Sequence, residues 1–434
     1  MKKICSALVL LLILSMGAYA QKTTLTVYDY IDATAPGYAE NEAIWQKFID
    51  ENRDITIVKE ELSNEPFHQK LAAYVAAGTL PDIIYMYPSG RSTTLHEQKL
   101  VKDLAPLLGK DFLSNFIPSV IDPSGQKGKY LAELPQSISY TTVMFTNTRL
   151  LSELGLKVPA TYAELKAMVP KLRAKGIRPV LMANKDDWVM QSCLFSTIVG
   201  RMLGDDWIDK ALAGKVKFTD KEFIDALEFV QTMYKDGVIG RDTIQISYGE
   251  APAIFAEGKA AFFIDGDWRQ NAFLTDPSSG KALIDPKRQQ TDFEFYNFPA
   301  IPGEKHPGVG SAVLGCGYGI SASIPAGSDK EKAAVRLLKY LYSVDVQRQY
   351  LELGRYITSR KDVKSDKLEP FTLKMAEYHD SVPKTCYVLD GALDTSIYTP
   401  LNLGLQQIGL GTKTPQEVAQ SIQVAADAWR TSHK

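Results

Sequence analysis

The sequence predicts an α/β fold in two lobes, each a mostly parallel sheet flanked by helices. Three observations lead there: strand-like and helix-like segments alternate from the start of the chain, helical patterns recur to its end, and the length exceeds what one core organises. At 434 residues a single hydrophobic core stops growing and the chain divides.

Residues 24–30 (TLTVYDY) read as a strand, and residues 39–50 place Ile44, Trp45, Phe48 and Ile49 on one helical face. Strand character returns at 54–58 with Ile55, Ile57 and Val58. A second helix follows from Pro66, a favoured first-turn residue, with Phe67, Leu71, Tyr74 and Val75 at helical spacing. It stops at Gly78 with Pro81 beyond, and residues 82–87 (DIIYMY) form the next strand. Such alternation is the signature of a parallel sheet covered by helices. Ligands on these sheets bind past the carboxyl ends of the strands, where the strand order reverses. If the first and third strands flank that point, Asp29, Tyr30, Tyr85 and Tyr87 lie at its rim.

Another strand is expected at 140–145, then a helix through Leu150, Leu151 and Leu154 that ends at Gly155. Thr161 and Glu164 form a T-x-x-E capping box for a helix running to about Ala174, with Gly176 ending it. Helical patterns recur at 220–235, 330–342 and 414–430, the last starting at Thr414-Pro415. Turn-rich zones occupy 276–280 and 299–310; the second is a candidate crossover between lobes.

Lys2 and Lys3, the apolar run 7–14, and Ala18 and Ala20 around Tyr19 read as a secretory signal at 1–20, cut after Ala20. The apolar run is shorter than the roughly 18 residues a spanning helix needs. Cys5 precedes the apolar core and no Cys stands at the cut, so the mature chain is expected without a lipid anchor, as a free monomer in a periplasm. The full chain has a net charge of −2. The leader holds two lysines and no acid, so its removal makes the chain slightly more acidic. That balance offers no footprint for nucleic acid or an anionic membrane. Cys193, Cys316 and Cys386 remain, too few and too widely spaced for a disulfide framework or zinc pattern. One bridge, Cys316 to Cys386 for instance, stays open.

Enzymatic signatures are scarce. His68, His96, His306, His379 and His433 lack metal-ligand spacing, and there is neither a G-x-S-x-G elbow nor a P-loop, so no metal or cofactor is expected. Residues 315–319 (GCGYG) lack a phosphate-loop Lys and suit close backbone approach to a neighbour or ligand. Asp265 and Asp267 stand two positions apart, whereas a glycosidase needs its carboxyl groups on opposite sides of the sugar bond. A turn whose carboxylates cap amides, or a ligand hydrogen bond, fits them better. A sugar packs its C–H face on a flat ring while its hydroxyls meet planar polar groups, as concave sites provide. Trp188, after Asp186-Asp187, and Trp268, after Asp267, each join a ring to a carboxylate; Trp45, Trp207 and Trp429 sit in core patterns.

Residues 76–83 (AAGTLPDI) are similar to an A-G-x-x-P-D segment, and 155–165 (GLKVPATYAEL) to G-L-x-x-P-x-T-x-x-E-L. Residues 255–261 (FAEGKAA), running on to Gly266-Asp267-Trp268, resemble F-x-x-G-x-A-A…G-x-W; Phe298-Pro299 to Pro302-Gly303 and residues 314–321 agree. In this ordered set the chain resembles the extracellular solute-binding proteins of ABC importers, in the sugar-binding group similar to maltose-binding protein. The resemblance implies a two-lobe periplasmic-binding-protein fold with the ligand cleft at the hinge. Lobe 1 is expected at 21–135 plus 310–350 and lobe 2 at 136–309 plus 351–434. It implies a small carbohydrate ligand, the membrane subunits of an ABC permease as partner, and no catalysis. It nominates Asp29, Tyr30, the surroundings of Tyr85, Gln136, Trp188, the Asp267-Trp268 pair and the 315–317 loop, with Asp265, Tyr318 and Arg355 completing the set. Cys316 and Tyr318 stand where many relatives carry a second Gly or a Trp, and the usual Y-N reads Phe145-Thr146-Asn147. The rivals are a secreted carbohydrate-active enzyme and the same fold serving glycerol phosphate, a polyamine or a metal complex; Arg269 and Arg355 are the cations available to a phosphate.

Overall fold

In β1 (Thr23–Tyr30) Leu25 and Val27 pack on one side of the sheet with Trp45 and Phe48, while Tyr28 packs on the other with Phe67 and Leu71. A strand buried on both faces belongs at the centre of a helix-covered sheet. The computed structural model describes residues 22–433 except 32, 35–36, 88–91, 124–125 and 127. The leader expected at 1–20 lies outside the described residues.

The strands that follow are β2 (Ile55–Leu62), β3 (Ile83–Met86), β4 (Leu134–Pro135), β5 (Ile138–Tyr140) and β6 (Val143–Asn147). Then come β7 (Arg178–Leu181), β8 (Ala260–Asp265), β9 (Thr275–Asp276), β10 (Lys281–Ala282) and β11 (Phe293–Tyr296). The last are β12 (Gly310–Leu314), β13 (Gly317–Ile320) and β14 (Thr385–Cys386). The first sheet has the order β2-β1-β3-β13-β4 and the second β11-β6-β8-β7. β1 pairs in parallel with β2, from Thr23 opposite Ile55 to Tyr30 opposite Leu62, and with β3. The α/β layering matches the expectation, and the sheets are mixed. β13 and β4 enter the first sheet from chain crossings, not through a covering helix, and antiparallel pairing needs no helical connection.

A third, small sheet, β14-β12-β5, lies between these two in the chain path. The strand expected at 140–145 is therefore split: β5 ends at Tyr140, β6 starts at Val143, and two threonines turn the chain from one sheet to the other. Thr141 Oγ1 donates to the Ser192 carbonyl at 2.7 Å, and both Thr141 and Thr142 hydroxyls meet Ser311 Oγ, at 2.6 and 2.8 Å.

Helix ends follow the sequence signals. Gly78, closing the helix Asn64–Ala77, has φ 65°, a left-handed conformation that favours glycine. The capping box at Thr414 and Glu417 opens the helix Pro415–Ser432 with Pro415 in its first turn. At Thr161 the side chain caps Glu164 N as expected, while Glu164 Oε2 accepts from Ala160 N, one residue earlier than the box requires. Three larger apolar clusters result. The largest gathers residues of 143–301 and 371–426; a second, with residues of 25–134 and 318–342, and a third, with residues of 28–132, cover the two faces of the first sheet. Ile44 also packs with Val346, Tyr350, Leu353 and Tyr356, which carries the packing of the first unit past residue 350.

Trp45 and Trp207 are core residues, Trp207 stacking on Phe223 at 5.3 Å between ring centres. The three cysteines among the described residues are free, which closes the Cys316 to Cys386 pairing; Cys386 is packed against Gly200 and the Ser196 carbonyl instead. No helix among the described residues is long and apolar enough to cross a membrane.

Candidate functional site

Three chain passages run side by side between the two large sheets. Gln136 N–H donates to the Cys316 carbonyl at 2.8 Å, Gly315 N–H to the Ser137 carbonyl at 2.8 Å, and Ser359 N–H to the Gln136 carbonyl at 2.7 Å. The crossing expected within 299–310 thus falls slightly later: β12 pairs with β5, and the chain passes through Gly315 and Cys316 directly into β13. A Cβ on Gly315 would collide with Ser137, and one on Gly317 with the Leu134 carbonyl. These glycines serve the close approach of neighbouring backbone.

On the first-sheet side, Tyr30 and Tyr85 are stacked with ring centres 5.9 Å apart, and Tyr87 meets Tyr30 edge-on at 5.4 Å. They stand at the carboxyl ends of β1 and β3, as the parallel-sheet rule anticipates. Burial holds the hydroxyls of Tyr85 and Tyr87 well above the usual tyrosine range, and Cys316 acts electrostatically on both. Asp29 is only 2 % exposed and accepts a 2.7 Å hydrogen bond from Tyr318 Oη, itself buried. Burial pushes the Asp29 carboxyl up to about 6, against the opposing pull of Tyr318, Lys59 and Arg355. The Arg355 guanidinium lies over the Tyr350 ring and donates from Nη1 to Asn41 Oδ1 at 2.5 Å. Arg355 is thereby tied to the helix Tyr38–Glu51.

On the other side, half-buried Trp188 and Trp268 have ring centres 6.4 Å apart and enclose Tyr248, whose ring lies 5.0 Å from Trp188 and whose hydroxyl accepts from Trp268 Nε1. The lack of a side chain at Gly266 lets the Trp268 indole fold back over the backbone, since a Cβ there would collide with it. Beneath the rings the Arg269 guanidinium stacks on Tyr248 at 3.5 Å and donates from Nε to Asp265 Oδ2 at 2.7 Å. Asp265 also accepts from Gly266 N at 2.8 Å and is 0 % exposed, so it braces the aromatic group from within and has no surface left for a ligand. Arg269 spends Nε on that ion pair and is 7 % exposed, with Nη2 left without a hydrogen-bond partner among the described residues.

Asp267 differs. Its Oδ2 accepts the Tyr140 N–H of the crossing strand β5 at 2.9 Å and lies 2.9 Å from His379 Nε2, while Oδ1 has no hydrogen bond among the described residues. The two aromatic groups therefore border the crossing passages, one beside Cys316 and the other beside Tyr140. Asp265 and Asp267 point into separate networks, so they do not form a carboxylate pair across a sugar bond. Among the described residues no three metal-ligating side chains cluster.

Sequence reasoning missed Tyr248, His379 and Glu133. Tyr248 and His379 lie in turn-like and helical surroundings without a motif. Glu133, next to Leu134-Pro135, is 0 % exposed and neither carboxyl oxygen has a hydrogen-bond partner. Burial alone pushes its carboxyl up to about 8.

The family profile of bacterial extracellular solute-binding proteins matches residues 32–348. The chain belongs to this family. Among curated relatives of this solute-binding protein, a multiple sugar-binding protein of Streptococcus mutans is 25% identical over 329 residues, 72% of this chain and 73% of the relative. A probable sugar-binding periplasmic protein of Rhizobium meliloti is 26% identical over 240 residues, and the match spans only 54% of this chain and 53% of the relative. A galactooligosaccharide-binding protein of Bacillus subtilis is 28% identical over 45% of each chain. Solved structures share the two-lobed fold. A chitin oligosaccharide binding protein superposes with a TM-score of 0.81 at 21% identity, covering 94% of this chain and 100% of that one. A maltose/maltodextrin-binding domain from Bdellovibrio bacteriovorus bound to maltotriose gives 0.72 at 20% identity, with the same coverage. Family and relatives are binding proteins.

Proposed function

We propose that this solute-binding protein captures a mono- or oligosaccharide between its two lobes and delivers it to the membrane permease of an ABC import system, with no chemistry of its own. The observation that carries this is the half-buried Trp188–Tyr248–Trp268 group beside Asp267, whose Oδ1 has no hydrogen bond among the described residues. Flat rings next to a planar acceptor suit a neutral sugar, which offers an apolar face and hydroxyl donors together. The names of the relatives point the same way.

Tyr30 and Tyr85 on lobe 1, Trp188, Asp267 and Trp268 on lobe 2, and Gln136, Gly315 and Cys316 in the floor between them form the contact set. Asp29, Tyr318, Asp265 and Arg355 brace it. Lobe 1 takes residues 21–135 plus 310–350, and lobe 2 residues 136–309 plus 351–434. Binding to both lobes favours the closed arrangement, which is the form that docks on the permease. The protein acts as a monomer in a periplasm, freed by its signal peptide.

A thermal-shift panel of neutral sugars, sugar phosphates and polyamines tests the ligand class. A ligand that binds only the folded state raises the midpoint increasingly with its concentration. Neutral sugars are expected to do so; stabilisation by phosphates or polyamines alone reverses the assignment.

A further inference from the structure

His379 sits in the last turn of the helix Pro370–Ser381, far along the chain from the strand end that carries Asp267. Its ring packs against Tyr140 at 4.4 Å between centres and against Tyr378 at 6.4 Å. Nε2 is buried, has no hydrogen-bond partner among the described residues, and lies 2.9 Å from Asp267 Oδ2, a contact that becomes an ion pair when the ring is protonated. That same oxygen accepts the Tyr140 amide. Two groups from two separate elements thus converge on one oxygen of a carboxylate that is only 8 % exposed, while its other oxygen has no hydrogen bond among the described residues.

We propose that His379 is a positioning residue for ligand binding: with the Tyr140 amide it holds Asp267 Oδ2, fixing the carboxylate plane so that Oδ1 is presented to a ligand hydroxyl. The inference rests on the sugar-binding reading. A carboxylate on a short side chain otherwise rotates about its last bond, and ordering it on binding costs affinity. Groups behind a ligating side chain that fix its orientation typically matter by one to two orders of magnitude at metal sites, and the same geometry applies to a hydroxyl donor. Because Tyr140 ends β5, which pairs with β12, the carboxylate is referenced to the crossing strands as well as to its own segment.

The test is calorimetric titration of the full-length mature protein with a sugar found by the thermal-shift panel. His379→Phe keeps the ring packed on Tyr140 and deletes the nitrogen; His379→Gln keeps a side-chain N–H. The expected result is an affinity loss of about tenfold for H379F, recovery of most of it in H379Q, and no additional loss when H379F is placed in the Asp267→Ala background. Unchanged affinity in H379F, failure of H379Q to recover it, or equal losses in both backgrounds overturns the inference and leaves the sugar-binding reading standing. Should H379F fail to fold, the comparison of H379Q with His379→Ala decides on the same criteria. Absence of any sugar binding by the wild-type protein removes both.

Discussion

Tyr318 Oη donates a 2.7 Å hydrogen bond to Asp29 Oδ1, tying β13 to β1 across the intervening β3. The two residues stand 289 positions apart. The bond joins the strand that enters from the crossing to β1, on the far side of the central strand β3. Removing the hydroxyl in Tyr318→Phe leaves a buried carboxylate oxygen without this donor, at an expected cost of about 1–3 kcal/mol. Chemical denaturation reads it; an unchanged midpoint refutes it.

Asp29 also makes stability depend on pH. Its folded value, about 6, lies above the ordinary 3.8, so between those values the folded state binds more protons than the unfolded one. Stability from this group is complete below about 4 and is lost as pH rises through about 6. Asp29→Asn keeps an acceptor for Tyr318 and removes that decline; denaturation curves at pH 4.5 and 7 check it.

Glu133 gives the same sign over a different window. Burial raises it from 4.5 to about 8 with no compensating partner, so the wild type loses stability from about pH 4.5 up to about 8. Glu133→Gln is expected to flatten the curve there and to be the more stable protein at pH 8, by an amount on the order of a few kcal/mol. Parallel curves for the two proteins contradict this.

The tryptophans separate binding from packing. Trp268→Ala is expected to weaken sugar affinity at least about tenfold, since it removes a stacking face and the donor to Tyr248. Trp207→Ala, which empties a stacked core position against Phe223, is expected to cost about 3–5 kcal/mol of stability and to leave affinity per folded molecule intact. Titration and denaturation of both variants settle the pair.

Gly317→Ala drives a methyl group into the Leu134 carbonyl, where backbone has no room to yield. Loss of several degrees in melting temperature is expected, larger than for Gly249→Ala, where a Cβ meets nothing.

Much of the fold was legible because its signals are local. The alternation in 24–87, the stop at Gly78 and the cap at Thr414 depend on neighbours a few residues away, and the elements formed near their expected bounds except β2, which runs on to Leu62 beside β1. The split at Tyr140 was not legible, because the hydroxyls that turn the chain meet Ser311, some 170 positions on. The site divides in the same way. Trp188 and Trp268 stood out as rings beside carboxylates, and they do share one aromatic group. Asp265 looked equivalent to Asp267 in sequence, yet it is the last residue of a fully buried strand and pairs with Arg269, while Asp267 falls past the strand end. Tyr248 and His379 carry no motif, and only tertiary packing brings them to the tryptophans and to Asp267.

Isothermal titration of the mature protein with neutral mono- and oligosaccharides tests the sugar-binding assignment most directly. Saturable one-to-one binding of at least one neutral sugar, weakened in Trp268→Ala, is expected. No binding by any neutral sugar up to millimolar concentration, or release of cleaved products during the titration, contradicts it.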